Sequence, residues 1–198
     1  MMALKGTRGT TFSNSSPYWT TNNTLNPSDN TINDGDAKYN TYNYFQATDW
    51  LAVFPDAPVK GGDVSNGFNM GWTWVENNAV NNTIPLLTFF NMNYQVTKLS
   101  NGVDYAATNP KPLGSPKYST SMWSTELGFQ WYGINYRTYS PTYIRWGFVF
   151  NNESDEVTND VFSGIGMAQS SYSAGDLGYP SLGNVGVNRS MRFMWFVR

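Results

Sequence analysis

Apolar and polar residues alternate with a period of two in several short segments of the chain. In TYIRWGFVF, residues 142–150, one set of alternate positions holds Ile144, Trp146, Phe148 and Phe150. SMRFMWFVR, residues 190–198, alternates in the same way but carries apolar residues in both sets. Because successive side chains of a strand point to opposite faces, this period predicts β-strands.

Further segments of the same character predict more strands. They are YNTYNYF (residues 39–45), DWLAVFP (49–55), FNMGWTWVE (68–76) and LGFQWYGINYR (127–137). IPLLTFFNMNYQVTKL, residues 84–99, is long enough for a helix, but its aromatic and β-branched residues favour a strand or a bent strand. The Asn-Gly pair that follows, residues 101–102, predicts a hairpin turn. No segment has the pattern of a long amphipathic helix.

The pattern predicts an all-β fold, with antiparallel sheets in a β-sandwich or jelly-roll-like arrangement and long loops. The tryptophans on the clearest alternating segments are predicted to lie in the core: Trp72, Trp74, Trp146 and Trp195. Residues 7–33 hold few apolar anchors among Ser, Thr, Asn, Asp and Pro. We expect residues 1–37 to form an extended polar N-terminal arm or a surface loop, and residues 38–198 a single β-rich domain.

Composition narrows the chemistry. The chain has no cysteine and no histidine, which excludes disulfides, thiolate zinc sites and Ser-His-Asp or Cys-His catalysis within it. Lys+Arg 12 against Asp+Glu 14 leaves no positive excess for phosphates, so direct nucleic-acid binding is not expected. The first residues lack a secretory signal, and no apolar run reaches the ~20 residues of a membrane helix, so membrane insertion is not expected.

Two loops concentrate carboxylates. NNESDEVTND, which follows the strand at 142–150, holds Glu153, Asp155, Glu156 and Asp160. With amides and backbone carbonyls these acids could supply the roughly 6 to 8 oxygens that calcium takes, but their spacing matches no EF-hand. We favour a turn that ends the strand and holds no metal. Asp29, Asp34 and Asp36 form a second patch, which lacks the glutamate that closes a calcium loop.

Paired acids could serve glycoside hydrolysis, in which two carboxyl groups flank the scissile bond. Asp49, Glu76 and Glu126 lie in or beside Trp-containing segments, where burial would raise the pKa of a carboxyl group. Nothing in the sequence brings two of them together. Structural acids are therefore the favoured interpretation, and no catalytic residue is predicted.

Aromatic residues give the stronger functional hypothesis. Tryptophan stacks on sugar rings and also anchors protein interfaces. The candidate ligand-binding residues are the tryptophans outside the predicted core: Trp19, Trp50, Trp123 and Trp131.

The last third of the chain, residues 144–198, resembles the C-terminal modules of bacteriophage tail-fibre and related virion proteins. The resemblance is carried by IRWGFVFNNESDEVTNDVFSGIGM, then by YSAGD and NRSMRFMWFVR, and it is one of composition rather than of motif. It implies a virion component that is made in the host cytoplasm without a signal and is stabilised by oligomerisation. No site residue is carried over from it.

We therefore expect a non-enzymatic virion structural or receptor-binding protein, of capsid or tail-fibre type, without a cofactor. The expected partners are further copies of the chain in a trimer or larger assembly, other virion proteins and a host surface glycan. The apolar residues on both faces of the terminal strand support assembly, since one face would need cover from a neighbouring subunit. A soluble, lectin-like carbohydrate-binding protein is the main alternative, and a carboxylate-pair glycoside hydrolase is a lesser one.

Overall fold

The computed structural model describes residues 1–55, 72–77, 84–92, 96–100, 129–137, 143–151, 161–167, 172–178 and 189–198. Within these ranges the chain forms mostly strands, with a few short helical segments. The strands lie in two antiparallel sheets, one of five strands and one of six. The all-β class predicted by the alternating pattern is confirmed.

The five-stranded sheet places the last strand of the chain at its centre. In spatial order its strands are β2 (Ala37–Lys38), β1 (Met2–Gly6), β11 (Phe193–Val197), β3 (Asp49–Phe54) and β4 (Trp72–Asn77). Trp195 of β11 lies opposite Leu4 on one side and Ala52 on the other. The first and last strands are therefore direct neighbours.

The six-stranded sheet is a meander, because its strands follow one another in chain order. They are β5 (Val96–Ser100), β6 (Phe129–Arg137), β7 (Tyr143–Asn151), β8 (Val161–Ile165), β9 (Ala174–Gly178) and β10 (Arg189–Ser190). The strands predicted at 49–55, 127–137, 142–150 and 190–198 are confirmed as β3, β6, β7 and β11. The predicted turn at residues 101–102 lies outside the described residues.

A row of glycines crosses the six-stranded sheet in register. Gly133 of β6 lies opposite Gly147 of β7, Gly147 opposite Gly164 of β8, and Gly164 opposite Gly175 of β9. A Cβ atom built on Gly164 would lie 2.5 Å from the backbone oxygen of Trp146 and 2.8 Å from Ile144 Cγ2. The absence of side chains in this row therefore permits a close approach of neighbouring strands.

Two segments predicted as strands are short helices instead. The first, α1 (Asn40–Tyr44), follows Tyr39, and the second, α2 (Leu86–Asn91), follows Pro85. The strand prediction for residues 84–99 holds only for its last part, β5. The prediction of a strand at residues 39–45 is wrong.

Aromatic packing explains why these segments are helical. The buried residues of α2 are Leu86, Phe89 and Phe90, which have the i, i+3, i+4 spacing of one helix face. Tyr42 of α1 stacks on Phe90, with ring centroids 6.2 Å apart. Contact between the two helices thus overrides the strand preference of their aromatic residues.

Residues 7–36, which we call the N-terminal loop, fold back onto the chain. Phe12 and Trp19 are 0% exposed, and Trp19 Nε1 donates to the Ser13 carbonyl oxygen at 2.8 Å. The strands on either side of the loop, β1 and β2, pair with each other. The segment is therefore packed, not extended as an arm would be. A domain boundary after residue 37 stays a prediction.

Four tryptophans form a contact that links the two sheets, and we call this contact the aromatic junction. Trp146 of β7 and Trp195 of β11 have ring centroids 4.7 Å apart. Trp50 of β3 lies 6.0 Å from Trp146 and 5.4 Å from Trp195, and Trp19 lies 6.2 Å from Trp195. The core prediction is confirmed for Trp146 and Trp195, which are fully buried.

The terminal strand is covered within the chain. Phe193 and Trp195 are buried on one set of alternate positions, and Met194 is buried on the other. The argument that one face of this strand needs cover from a neighbouring subunit is therefore wrong. The physical reason is packing within the chain, as in the contact of Trp195 with Trp146 at 4.7 Å; pairing with β1 and β3 covers only the edges of β11.

We expect Gly164→Ala to destabilise the protein by about 1–3 kcal/mol, because the new methyl group would overlap the backbone of Trp146. Urea unfolding measures this change. Gly9→Ala is the control, since a Cβ there would lie 3.3 Å from Thr7 Oγ1 and the change should stay within about 0.5 kcal/mol. Equal stabilities of the two variants would contradict the close approach at Gly164.

Candidate functional site

The described residues form a polar cleft of about 350 Å³ between the N-terminal loop and the start of β11. Thr7 and Arg8 line it from the segment after β1, Asp34 from the far end of the loop, and Arg192 from the position before β11. We call it the arginine cleft. Its lining comes from both ends of the chain, which the pairing of β1 with β11 brings together.

Hydrogen bonds fix the wall that carries Arg8. Asp36 accepts a bond from the Thr7 backbone nitrogen and one from Thr11 Oγ1, each at 2.6 Å. The hydroxyl of Ser190 in β10 donates to the carbonyl oxygen of Arg8. The backbone at Arg8 is thereby tied both to the loop and to the six-stranded sheet.

A buried lysine fixes the opposite wall. Lys5 is 1% exposed, and its Nζ donates to Asp29 Oδ2 at 2.6 Å, to the Thr31 carbonyl oxygen at 2.8 Å and to Asn33 Oδ1 at 2.9 Å. The hydrogen bond from Lys5, supported by one from Thr31, lowers the pKa of Asp29 to about 2. Because a buried ammonium needs such acceptors, residues 29–33 are held against β1 and place Asp34 at the cleft.

Three charged residues belong to the described lining of the cleft. Arg192 Nη1 donates to Asp34 Oδ1 at 2.6 Å, and the side chains of this pair are 27% and 78% exposed. The Arg8 residue is exposed as well. The described lining therefore contains two guanidinium groups and one carboxylate.

The structure places the candidate tryptophans differently from the prediction. Trp19 and Trp50 are 0% and 3% exposed, so they are core residues whose rings cannot stack on an external ligand, and the binding prediction is wrong for them. Trp131 lies on β6, opposite Val149 of β7. Trp123 lies outside the described residues.

The acids of the N-terminal loop serve internal contacts. Asp29 binds Lys5, Asp34 binds Arg192, and Asp36 binds Thr7 and Thr11. Among the described residues, no group of three or more acids is arranged to hold a metal ion. The acidic loop with Glu153, Asp155, Glu156 and Asp160 lies outside those residues, so its metal-free interpretation stays a prediction.

The acids considered for glycoside hydrolysis are not cross-strand partners. Asp49 lies opposite Asn77, whereas Glu76 lies opposite Trp50. Asp49 Oδ2 accepts a bond from Arg198 Nε at 3.0 Å. Glu126 lies outside the described residues. The described contacts of Asp49 are those of a structural acid.

The sequence prediction did not include Arg8 and Arg192. They are separated by almost the whole chain, and the β1–β11 pairing and the bond from Ser190 to Arg8 bring their segments together. Charged residues are only 13% of the chain. An arginine beside the end of a strand is therefore a candidate for a functional site. This criterion identifies single residues and does not show which of them lie close together in the fold.

A second buried lysine has an unusual environment but no access to ligands. Lys38 is 0% exposed; its Nζ donates to the Thr21 carbonyl oxygen and lies 4.5 Å from the centroid of the Tyr42 ring. Burial lowers the pKa of Lys38 to about 8. A lowered pKa often marks a reactive amine, but full burial makes this lysine a structural group.

Comparison of the chain with protein-family models, curated proteins and solved structures found no match. The fold and the site define its class, an antiparallel all-β protein with a polar cleft between loop and sheet. In the part of the chain that the structure describes, no helix is long and apolar enough to cross a membrane.

We expect the stability of the protein to rise with pH because of Lys38. Its pKa is about 8 in the folded protein against 10.5 in the unfolded chain, so the unfolded chain binds more protons between these values. The free energy of unfolding should therefore increase by about 1 kcal/mol from pH 7 to pH 9. Urea unfolding across this window should show the rise in the natural protein and lose it in Lys38→Met.

Tyr42 provides the matched control for this measurement. Burial raises the pKa of Tyr42 well above 10.0. Its phenol therefore lowers the free energy of unfolding only when the pH rises through 10.0, the pKa of the phenol in the unfolded chain. Tyr42→Phe should therefore keep the rise between pH 7 and pH 9. An unchanged slope in Lys38→Met would refute the assignment to Lys38.

Proposed function

We propose that the chain is a non-enzymatic virion structural or receptor-binding protein that works as a homo-oligomer. The observation that carries this proposal is the arginine cleft, an open polar site whose walls are tied to two sheets. Such a site suits recognition of a ligand by a fixed surface. The contacts found for Asp49 favour binding over hydrolysis, since that acid is paired with Arg198.

We further propose that the two sheets form a β-sandwich. The contact between Trp146 and Trp195 supports this architecture, because these residues belong to different sheets and are fully buried. A jelly roll would alternate successive strands between its sheets. The consecutive order of β5 to β10 therefore favours a simpler sandwich with a meander.

The ends of the sheets support assembly. In the described strand orders, β4 and β5 are end strands of six and five residues, whereas β2 and β10 at the other ends have two residues each. A long end strand offers backbone N–H and C=O groups to a strand of another chain. We propose that copies of the chain, and other virion proteins, associate through these strands.

A soluble, lectin-like carbohydrate-binding protein is the second candidate. It is favoured by the same cleft, whose size falls in the range of about 300–1,000 Å³ usual for small-molecule sites. The two candidates differ in assembly: a virion component is an oligomer, and a free lectin of this kind binds its sugar as a monomer.

We expect light scattering at low micromolar concentration to give a mass of at least three chains. The chain mass is 22.3 kDa. Neighbouring N–H groups of an antiparallel strand point to opposite sides, so Val75→Pro and Glu76→Pro in β4 form a matched pair. The proline that removes the N–H group facing β3 should lower the melting temperature of the protomer. The proline that removes the outward N–H group should reduce the mass of the assembly and leave that melting temperature unchanged. A 22.3 kDa particle for the natural chain would refute the oligomer.

A further inference from the structure

We propose that Lys5 and Asn33 form an intramolecular isopeptide bond, and that Asp29 transfers the proton in this reaction. The bond would join β1 covalently to the far end of the N-terminal loop. The inference goes beyond the proposed function and does not depend on it, since it concerns a modification of the chain and not its ligand or its assembly.

The three reacting groups are in direct contact. Lys5 Nζ donates to Asp29 Oδ2 at 2.6 Å and to Asn33 Oδ1 at 2.9 Å. Because a carbonyl bond is about 1.2 Å long, the Asn33 Cγ atom lies within about 4 Å of this nitrogen. Reacting atoms in a near-attack geometry are about 3–3.5 Å apart, and the terminal torsion of asparagine is broad. A rotation of the carboxamide can therefore bring its carbon to the lysine nitrogen.

Asp29 is placed to take a proton from a lysine that is shielded from water. The side chain of Lys5 is 2% exposed, and that of Asp29 is 25% exposed. Lysine acts as a nucleophile once a neighbouring group has taken its proton. The hydrogen bond from Lys5 lowers the pKa of Asp29 to about 2, so Asp29 is ionised at neutral pH and can accept this proton. Because so weak a base receives the proton rarely, we expect the bond to form slowly and to accumulate.

Gly35 supports the reaction through its backbone. Its nitrogen donates to Asn33 Oδ1 at 3.0 Å, and this is the oxygen on which negative charge develops when an amine attacks the carboxamide. Backbone N–H groups at about 2.7–3.1 Å from such an oxygen stabilise the tetrahedral intermediate. A Cβ atom on Gly35 would lie 2.7 Å from Asp29 Oδ2 and 3.0 Å from Asn33 Oδ1. A glycine therefore lets the backbone approach both groups closely.

The reaction exchanges one C–N bond for another. Asp29 Oδ2 takes a proton from the Lys5 ammonium, and the electron pair of Nζ then attacks Cγ of Asn33. The bond from Cγ to Nδ2 breaks with its electrons on the leaving nitrogen. That nitrogen takes a second proton from Nζ and the first one back from Asp29, and it departs as ammonium. Asp29 is a carboxylate again, and nothing is oxidised or reduced.

Asn33, and not Asp29, supplies the carbon of the new bond. The negative charge of a carboxylate repels the electron pair of an amine, whereas the carboxamide of Asn33 is neutral. Asp29 therefore keeps the role of proton carrier, which its contact with Nζ at 2.6 Å allows.

The second buried lysine lacks these partners. Lys38 Nζ donates to the Thr21 carbonyl oxygen and lies 4.5 Å from the centroid of the Tyr42 ring. Neither contact offers a carboxylate or a side-chain carboxamide. The site is therefore defined by the contact of amine, carboxylate and carboxamide, not by burial, and we expect Lys38 to stay unmodified.

Mass spectrometry of the full chain tests the inference. The protein is kept folded at neutral pH for several days and then denatured, and we expect its mass to be lower than that of the sequence by one ammonia, about 17 Da. Trypsin should not cleave after a modified Lys5, so residues 1–8 should be recovered joined to residues 9–38. A chain of full mass would overturn the inference. Loss of ammonia without joined peptides would also overturn it, because an asparagine that closes a cyclic imide on its own backbone loses the same mass.

Variants identify the reacting groups. Lys5→Arg and Asn33→Ala should each abolish the joined peptides, because the first removes the nucleophile and the second removes the carboxamide. Asp29→Ala should slow their formation about a hundredfold or more, as expected for the loss of a general base. Asn30→Ala is the matched control, since it removes an exposed carboxamide from the same loop and should leave the rate unchanged. Joined peptides in Asn33→Ala at the natural rate would overturn the assignment.

Incubation of the natural chain in guanidinium chloride shows whether the reaction needs the fold, and it does not depend on whether a variant folds. The packing of the N-terminal loop against β1 brings Asn33 and Asp29 to Lys5. We therefore expect no joined peptides from chains that are made and kept unfolded. Joining at the same rate in the unfolded chain would contradict the roles of Asp29 and Gly35 and overturn the inference.

Discussion

The contact between Trp146 and Trp195 is the constraint on which the rest of the structure depends. It joins the central strand of one sheet to a strand of the other, with ring centroids 4.7 Å apart. Gly164 allows β8 to approach the backbone of Trp146 closely. Trp195 Nε1 is buried, and in the described residues it has no hydrogen-bond partner. Leaving such a donor unpaired costs about 1–3 kcal/mol. The stabilisation from packing the four indole rings has to be larger than this cost.

This arrangement fixes the polar surface as well. Because β11 lies beside β1, the residues just outside these strands, Arg192 and Thr7, face a common cleft. The N-terminal loop then inserts Trp19 into the core and holds its far end with Lys5. In a chain with few charged residues, the buried Lys5 and the carboxylates of Asp29 and Asp36 organise the loop.

Strands with a clear period of two, such as β3, β6 and β7, were predictable from the sequence. The helices were not, although Leu86, Phe89 and Phe90 have helical spacing, because the aromatic residues of a six-residue segment also suit a strand. Trp19 was missed as a core residue since its neighbours are polar and only the folding of the loop buries it. The cleft was beyond prediction for a related reason: Arg8 and Arg192 line it together because long-range contacts, such as the pairing of β1 with β11, join the two ends of the chain.

A double-mutant cycle of Trp146→Leu and Trp195→Leu tests the central claim, that the two sheets depend on this contact, most directly. Urea unfolding gives the stability of the natural chain, of both single variants and of the double variant. If the rings pack as described, the two losses should differ from additivity by about 1 kcal/mol or more, because residues in contact couple. Additivity to within about 0.3 kcal/mol, as found for distant sites, would contradict a shared core between the sheets.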